Sequence, residues 1–394
     1  MWNMLTLIFN LAGIILLFKF VKYKWDDYNQ NKSEGNFWTF RRHKYILTLG
    51  PLLLATLALI EFVLPAQSPL QNEAQRMDFG LWLGILTALV ISLTWANYLW
   101  KLDIFEPEKW HHLLIVFLAG SAATFLVFPI SDRINTELDF HLNNEVVNDV
   151  FYCFIGIGML EEFVKILPII ILLRFKNIVN EPYDFLLYAS ISALGFAFVE
   201  NAMYINNTDF YAVNGRALMS TVAHMTFSSV IGYGFMVASY KSPANKLKYI
   251  IGAFLVASFM HGFYDFWLIN PTAKQWSGLT YLFFILTVHY WFTLKNKAIN
   301  ASYFYDRKIR WINSRLKYYL LSWLVIIFSI SVLLIGVFHG SSRAHVFFTK
   351  QFYAYGFLIY YLGFSFSKFK IAPKVAATCQ ILIEKTIPSE SINP

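Results

Sequence analysis

Apolar runs of about 20 residues recur along this chain from near its first residue to residue 367, and no other feature limits its fold as strongly. A helix of that length rises about 30 Å, the thickness of a bilayer's hydrocarbon core. Charged residues make up only 14% of the chain and hydrophobic ones 57%, whereas a soluble domain carries about a quarter charged. No single soluble core could bury so many runs. The expected fold is all-α, a polytopic transmembrane helical bundle of about eleven spans. They are placed near 2–21, 45–65, 80–100, 111–130, 150–173, 185–205, 219–239, 249–268, 277–294, 318–338 and 351–367.

Sidedness follows from the cationic residues. Loops at 22–44, 101–110, 174–184, 240–248, 295–317 and the tail from 368 hold 24 of the 32 Lys and Arg residues. The opposite loops hold six (Arg76, Arg133, Arg216, Lys274, Arg343, Lys350), and Lys19 and Lys165 fall within spans. The rich side is expected in the cytoplasm, which puts the N-terminus outside and the C-terminus inside a cell membrane. The first run, MLTLIFNLAGIILLF, lacks a basic leader and an A-x-A site, so it is expected to be a retained helix. Residues 22–44 read as a polar loop and 295–317 as an interfacial helix on anionic lipid, with no nucleic acid as partner. Cys153 and Cys379 stand far apart, in neither a disulfide framework nor a CxxC site.

Four consecutive spans carry groups that are costly in lipid. Span five has Glu161, Glu162 and Lys165, and span six has Glu200 and Asn201. Span seven has His224; span eight has His261 and Asp265. Each ionised group at a helix centre costs roughly 2.5–3.5 kcal/mol on insertion scales, so a shared polar cavity is expected. Lys165 lies four residues after Glu161 and three after Glu162, within reach of either. The two glutamates diverge by about 100° around a helix, so they are expected not to face one point and to play different roles. His261 and Asp265 stand at i,i+4, where a carboxylate can fix an imidazole's tautomer. Counting from the span ends, Glu161 lies about 16 Å and Glu200 and His224 about 8 Å below the outer face. All but Lys165 then fall in the outer half of the bilayer, open to water from outside.

A carboxylate beside imidazoles in a low-dielectric wall can activate water. Glu161 or Glu162 would be the general base, with histidines polarising the carbonyl or stabilising an oxyanion. The same His and Glu set could instead hold a single divalent metal such as zinc. The sequence leaves metal-free and metal-dependent hydrolysis equally open.

These residues also resemble a known family. EEFVK (161–165) matches E-E-x-x-K, FAFVE (196–200) matches F-x-x-x-E and HGFYD (261–265) matches H-x-x-x-D. In this order on successive helices they are similar to the PrsW family of intramembrane proteases, distant relatives of the CAAX prenyl protease and bacteriocin-immunity group. DIFEPEKW (103–110) resembles the family's acidic D-x-x-E-P-E-P-W segment, with Lys109 in place of the second proline; GFAFVENAMY and the position of His224 also match. The likeness covers residues 101–268. It implies a membrane-embedded endopeptidase that cuts a membrane protein, a single-pass anti-sigma factor, near its extracytoplasmic boundary. Glu161 and Glu162 would be the catalytic pair, Glu200, His261 and Asp265 partners, and Lys165 the residue that tunes them.

The expected organisation is an N-terminal helical region (1–100), a protease core (101–268) and added C-terminal helices with a tail (269–394). Plainer readings stand beside the sharp ones. Glu200 alone could be a structural partner between helices, and His224 an interfacial histidine. Phe196 reads as packing. Asp103, Glu106 and Glu108 read as a solvated cytoplasmic loop. The same carboxylates could serve a proton- or ion-coupled transporter, or an inactive scaffold. Repeated halves and broken helices, usual in transporters, are not seen in the sequence.

Overall fold

The computed structural model describes residues 46–66, 73–175, 177–240, 245–302 and 313–368. The expected span at 2–21, the loop at 22–44, most of the 295–317 segment and Cys379 lie outside them. The described residues are helical, with no strand among them. The helices are α1 (Ile46–Phe62), α2 (Glu73–Leu102) and α3 (Trp110–Ala123), which runs through a tight turn at Thr124–Leu126 into α4 (Val127–Glu137). Then come α5 (Val146–Phe151), α6 (Leu160–Leu172), α7 (Pro182–Asn207), α8 (Thr221–Tyr240) and α9 (Lys246–Ile269). Three more complete the set: α10 (Gly278–Asn300), α11 (Asn313–His339) and α12 (Ser341–Phe366).

Among the described residues, six helical stretches are long and apolar enough to cross a membrane: Met77–Leu102, Trp110–Glu137, Pro182–Asn207, Val213–Tyr240, Lys246–Ile269 and Leu316–His339. The protein is therefore multi-pass. These are six of the eleven expected spans: α1 is short, the run at 150–173 is not one regular helix, α10 and α12 are not among the six, and the run at 2–21 lies outside the described residues. Large apolar side chains such as Trp82, Ile115, Phe125 and Phe259 point outward. That is costly in water and natural against lipid.

The chain folds into two compact units. One takes the described residues up to Thr94, Asn201–Leu218 and those from 313 to Lys368; the other takes Trp95–Glu200 and the described residues from Met219 to 302. The second unit holds the residues that the sequence singled out, so its construction matters most.

Two features shape it. Between α5 and α6 the backbone widens into a π-helical stretch, Tyr152–Met159, directly before Leu160 and the glutamate pair. Such stretches are rare and gather at functional sites. Each residue added to a helix turns the rest of that helix by about 100°, so a face read from residues 150–159 does not carry over to Glu161. Glycines then let the backbones approach. A Cβ on Gly262 would meet Phe154 Cα at 2.6 Å and Cys153 O at 2.7 Å, and one on Gly158 would collide with the Ser258 carbonyl. The two glycines press α9 onto the π-helical stretch and bring His261 against the glutamate helix. Around this contact pack Cys153, Phe266 and Ala273, and on the other side Leu160, Val164 and Phe196.

Gly262→Ala should therefore lower the melting temperature and displace His261, because overpacking a tight contact costs about 1–3 kcal/mol. Gly252 on the same helix has open space around it and provides the control. Equal melting temperatures for Gly262→Ala and Gly252→Ala in detergent would refute this account of the contact.

α10 also extends beyond its expected end at 294, to Asn300, and Lys295 is fully buried rather than in a basic loop. Its ammonium lies over the rings of Trp291 and Phe292, at 5.3 and 5.1 Å from their centroids. Aromatic faces attract a desolvated cation, which is how a lysine is retained inside.

Candidate active site

All seven residues singled out in the sequence come together within the second unit. At the centre is Lys165, its side chain fully buried. Its Nζ lies 3.1 Å from Glu161 Oε2, 2.9 Å from Glu162 Oε1 and 2.8 Å from His224 Nδ1, which uses three ammonium protons. The Phe196 ring covers the fourth side, with its centroid 4.4 Å away. Phe196 thus packs, as expected, and its packing is against the central charge.

The expectation that Glu161 and Glu162 cannot face one point is corrected here. Lys165 sits one turn further along α6, and both carboxylates swing toward it from either side. Their surroundings still differ. Glu162 is wholly buried and saturated: Oε1 takes Lys165 and His261 Nδ1 (3.0 Å), and Oε2 takes the Ser228 hydroxyl (2.6 Å). Glu161 keeps 13% of its side chain exposed and lies 3.5 Å from His261 Nε2.

The cluster has two faces. The back, wholly buried, holds Lys165, Glu162, Ser228 and the Nδ1 atoms of both histidines. The front holds both Nε2 atoms and three partly exposed carboxylates. His224 Nε2 is 2.7 Å from Glu200 Oε2, and His261 Nε2 is 3.3 Å from Asp265 Oδ2. The i,i+4 pair predicted from spacing is therefore made. Glu200 is brought to its place by α7, which packs on α3 where Gly120 and Gly195 leave no room for a side chain and Ser121 donates to the Gly195 carbonyl at 2.9 Å. Lys165, expected apart from the rest in depth, lies among them.

Ser228, Phe227 and Ser192 were not anticipated. Ser228 bonds Glu162, Phe227 lies 5.8 Å from His261 between ring centroids, and Ser192 donates to the Lys165 carbonyl at 2.6 Å. Pro168 on α6 leaves the preceding carbonyl, that of Val164, without its ladder partner. Small hydroxyl residues are common in apolar helices, and their sequence context carries no sign of which one faces a carboxylate.

The front face fits a metal ion. Glu161, His224 and His261 can each offer an atom, all within 4.8 Å of one another. With Nδ1–H of His261 held by Glu162, its Nε2 lone pair faces only carboxylates. A proton or a cation must lie there, and a carboxylate behind a histidine is the usual support of a metal-bound imidazole. His224 differs. While Lys165 donates to its Nδ1, its Nε2 carries the proton; ligation through Nε2 needs Lys165 to pass a proton to Nδ1 and the Nε2 proton to leave for solvent, so that the imidazole stays neutral and Glu200 stays ionised.

Fold and site together define a multi-pass helical membrane protein with a buried centre of carboxylates and imidazoles around one ammonium. The comparisons with known proteins agree. Residues 108–293 match the family model described as PrsW family intramembrane metalloprotease. Among curated relatives, a protease PrsW of Geobacillus kaustophilus (strain HTA426) is 30% identical over 201 residues, covering 50% of this chain and 84% of that protein. A protease PrsW of Bacillus subtilis (strain 168) is 27% identical over 213 residues, covering 54% and 92%. One from Clostridioides difficile (strain 630) is 28% identical over 200 residues, covering 49% and 81%. No solved structure matches the chain. The chain belongs to the PrsW family of intramembrane proteases.

Proposed function

We propose that the front face of the Lys165 cluster is the catalytic centre, and that it cuts another membrane protein near the extracytoplasmic boundary. The observation that carries this reading is the convergence, on four helices, of two imidazole Nε2 atoms and three partly exposed carboxylates over a fully buried ammonium. The core would lie within residues 101–268, with the flanking helices at 1–100 and 269–394 outside it. The cationic loops would face the cytoplasm of a bacterial cell. The substrate class that the family resemblance implies is a single-pass anti-sigma factor.

Glu161, His224 and His261 would hold the ion, and zinc is the metal that suits this His and carboxylate set. Bound there, it would supply Lewis-acid activation of water. Glu200 is the general base: it takes the water's proton on its carboxylate and returns it to the leaving amine, next to His224 Nε2. Glu162 and Lys165 are positioning residues. Glu162 holds His261 by accepting from Nδ1, so that its Nε2 lone pair points forward, and Lys165 fixes His224 from the back at Nδ1. Asp265 stands beside His261 Nε2 at the front and would adjoin the ion. The helices around the cluster keep bulk water from its back.

The test is a membrane proteome comparison of cells expressing wild-type protein or His261→Ala at matched levels. A single-pass protein shortened only by the wild type, with a new terminus near its outer boundary, is expected. Full-length membrane proteins throughout, under inducing stress, would overturn the reading and favour ion transport.

A further inference from the structure

A second polar cluster lies in the same unit, well away from the first. The structure corrects the expectation that Asp103, Glu106 and Glu108 form a solvated loop: Asp103 is 3% exposed and Glu108 6%. The segment folds back on itself, with Glu108 N donating to Asp103 Oδ2 (2.7 Å) and Trp100 Nε1 to the Glu108 carbonyl (2.8 Å). It meets the start of α7, where Glu181 and Asp184 are also buried. There Asn180 N and Glu181 N donate to Asp184 Oδ2 at 2.9 and 2.8 Å, and the Ser302 hydroxyl donates to Glu181. One oxygen each from Asp103, Glu181 and Asp184 lie within 4.8 Å of one another, and so do oxygens of Glu106, Glu108 and Asp184. Asp184 belongs to both sets.

An acidic cluster alone would mean little. Here several of the remaining oxygens have no donor. Asp103 Oδ1, Asp184 Oδ1 and Glu106 Oε2 are buried without a hydrogen-bond partner. So is the hydroxyl of Tyr188, a fully buried residue one turn along α7 with Glu108, Asp184 and Asp103 nearby. Buried polar atoms are nearly always satisfied, and each orphan costs about 1–3 kcal/mol, more if charged. Four in one place mark something that completes them.

We propose that Asp103, Glu106, Glu108, Glu181 and Asp184 form a site for a hard divalent cation, magnesium or calcium, with Tyr188 behind the ligands. The donors are oxygens, which suit such ions rather than zinc or copper. So many carboxylates held together out of water need a cation or shared protons between them. Asp184 and Glu200 are sixteen residues apart on α7, about 24 Å along the axis, so this is not the catalytic centre. The cation would clamp the 103–108 segment to the start of the helix that carries Glu200.

The test uses full-length protein in detergent, stripped with chelator and then titrated with Mg²⁺, Ca²⁺ or Tb³⁺. Terbium luminescence excited through nearby Trp and Tyr reports binding, and the melting temperature reports the clamp. His261→Ala, which lacks a front-face ligand of the other centre, should keep a saturable terbium signal and a cation-dependent rise in melting temperature. Asp184→Asn should lose both, and Tyr188→Phe should bind about tenfold more weakly. If Asp184→Asn does not fold, Glu106→Gln answers the same question. No terbium signal in the wild type, or an equal one in the carboxylate variants, would overturn the proposal and leave shared protons as the cluster's contents.

Discussion

Glu161→Gln is expected to abolish peptide cleavage, by about three orders of magnitude or more, in a protein that still folds. The amide keeps the size of the side chain and an oxygen for Lys165 Nζ, now 3.1 Å from Oε2. It removes one of the three negative charges that crowd the front face, so stability should hold. What is lost is a charged ligand of the proposed metal set. Glu200→Gln should be equally inactive for a different reason, since it removes the proposed base. Metal content of the purified proteins separates the two. It should fall in Glu161→Gln and His261→Ala and stay at the wild-type level in Glu200→Gln. Normal cleavage by folded Glu161→Gln would sink the assignment of the site. Normal cleavage by Glu200→Gln would leave the site and remove its base.

Much of this centre could be read from the sequence because charge in an apolar helix is costly and rarely accidental. Glu161, Glu162, Lys165, Glu200, His224, His261 and Asp265 stand out against their spans by composition alone, and i,i+3 and i,i+4 spacing gave the Lys165 and His261 pairs. Three things were hidden. The π-helical turn at Tyr152–Met159 depends on a backbone wound against α9, and a run such as YCFIGIGM carries no periodicity that forbids an ordinary helix. The convergence of both glutamates on one ammonium depends on side-chain reach, which the 100° rule for backbone positions leaves out. Asp103 and Glu108 were misjudged because an acidic, proline-containing stretch between spans has the composition of a solvated loop. Its burial depends on Glu181 and Asp184, some 75 residues later in the chain, whose approach no local pattern encodes.

Lys165→Met should destabilise the protein by about 3–5 kcal/mol, the cost of leaving a buried carboxylate without its partner. Glu162 would retain only Ser228 and His261, in a place with no access to water. His224 would lose the donor that fixes its Nδ1. Arginine is no substitute, because a planar guanidinium with five donors does not fit where one ammonium sits 4.4 Å from the centroid of the Phe196 ring. The informative partner is the double variant Glu162→Gln with Lys165→Met. It buries no unpaired charge, so its melting temperature should recover most of the loss, a non-additivity that marks a coupled pair. Cleavage should not recover, since His261 would be held by a neutral amide and His224 by nothing at Nδ1. If Lys165→Met melts with the wild type, the ammonium does not balance the glutamates. If the double variant regains both stability and cleavage, the back of the cluster is scaffold alone and the histidines are oriented from the front, by Asp265 and Glu200.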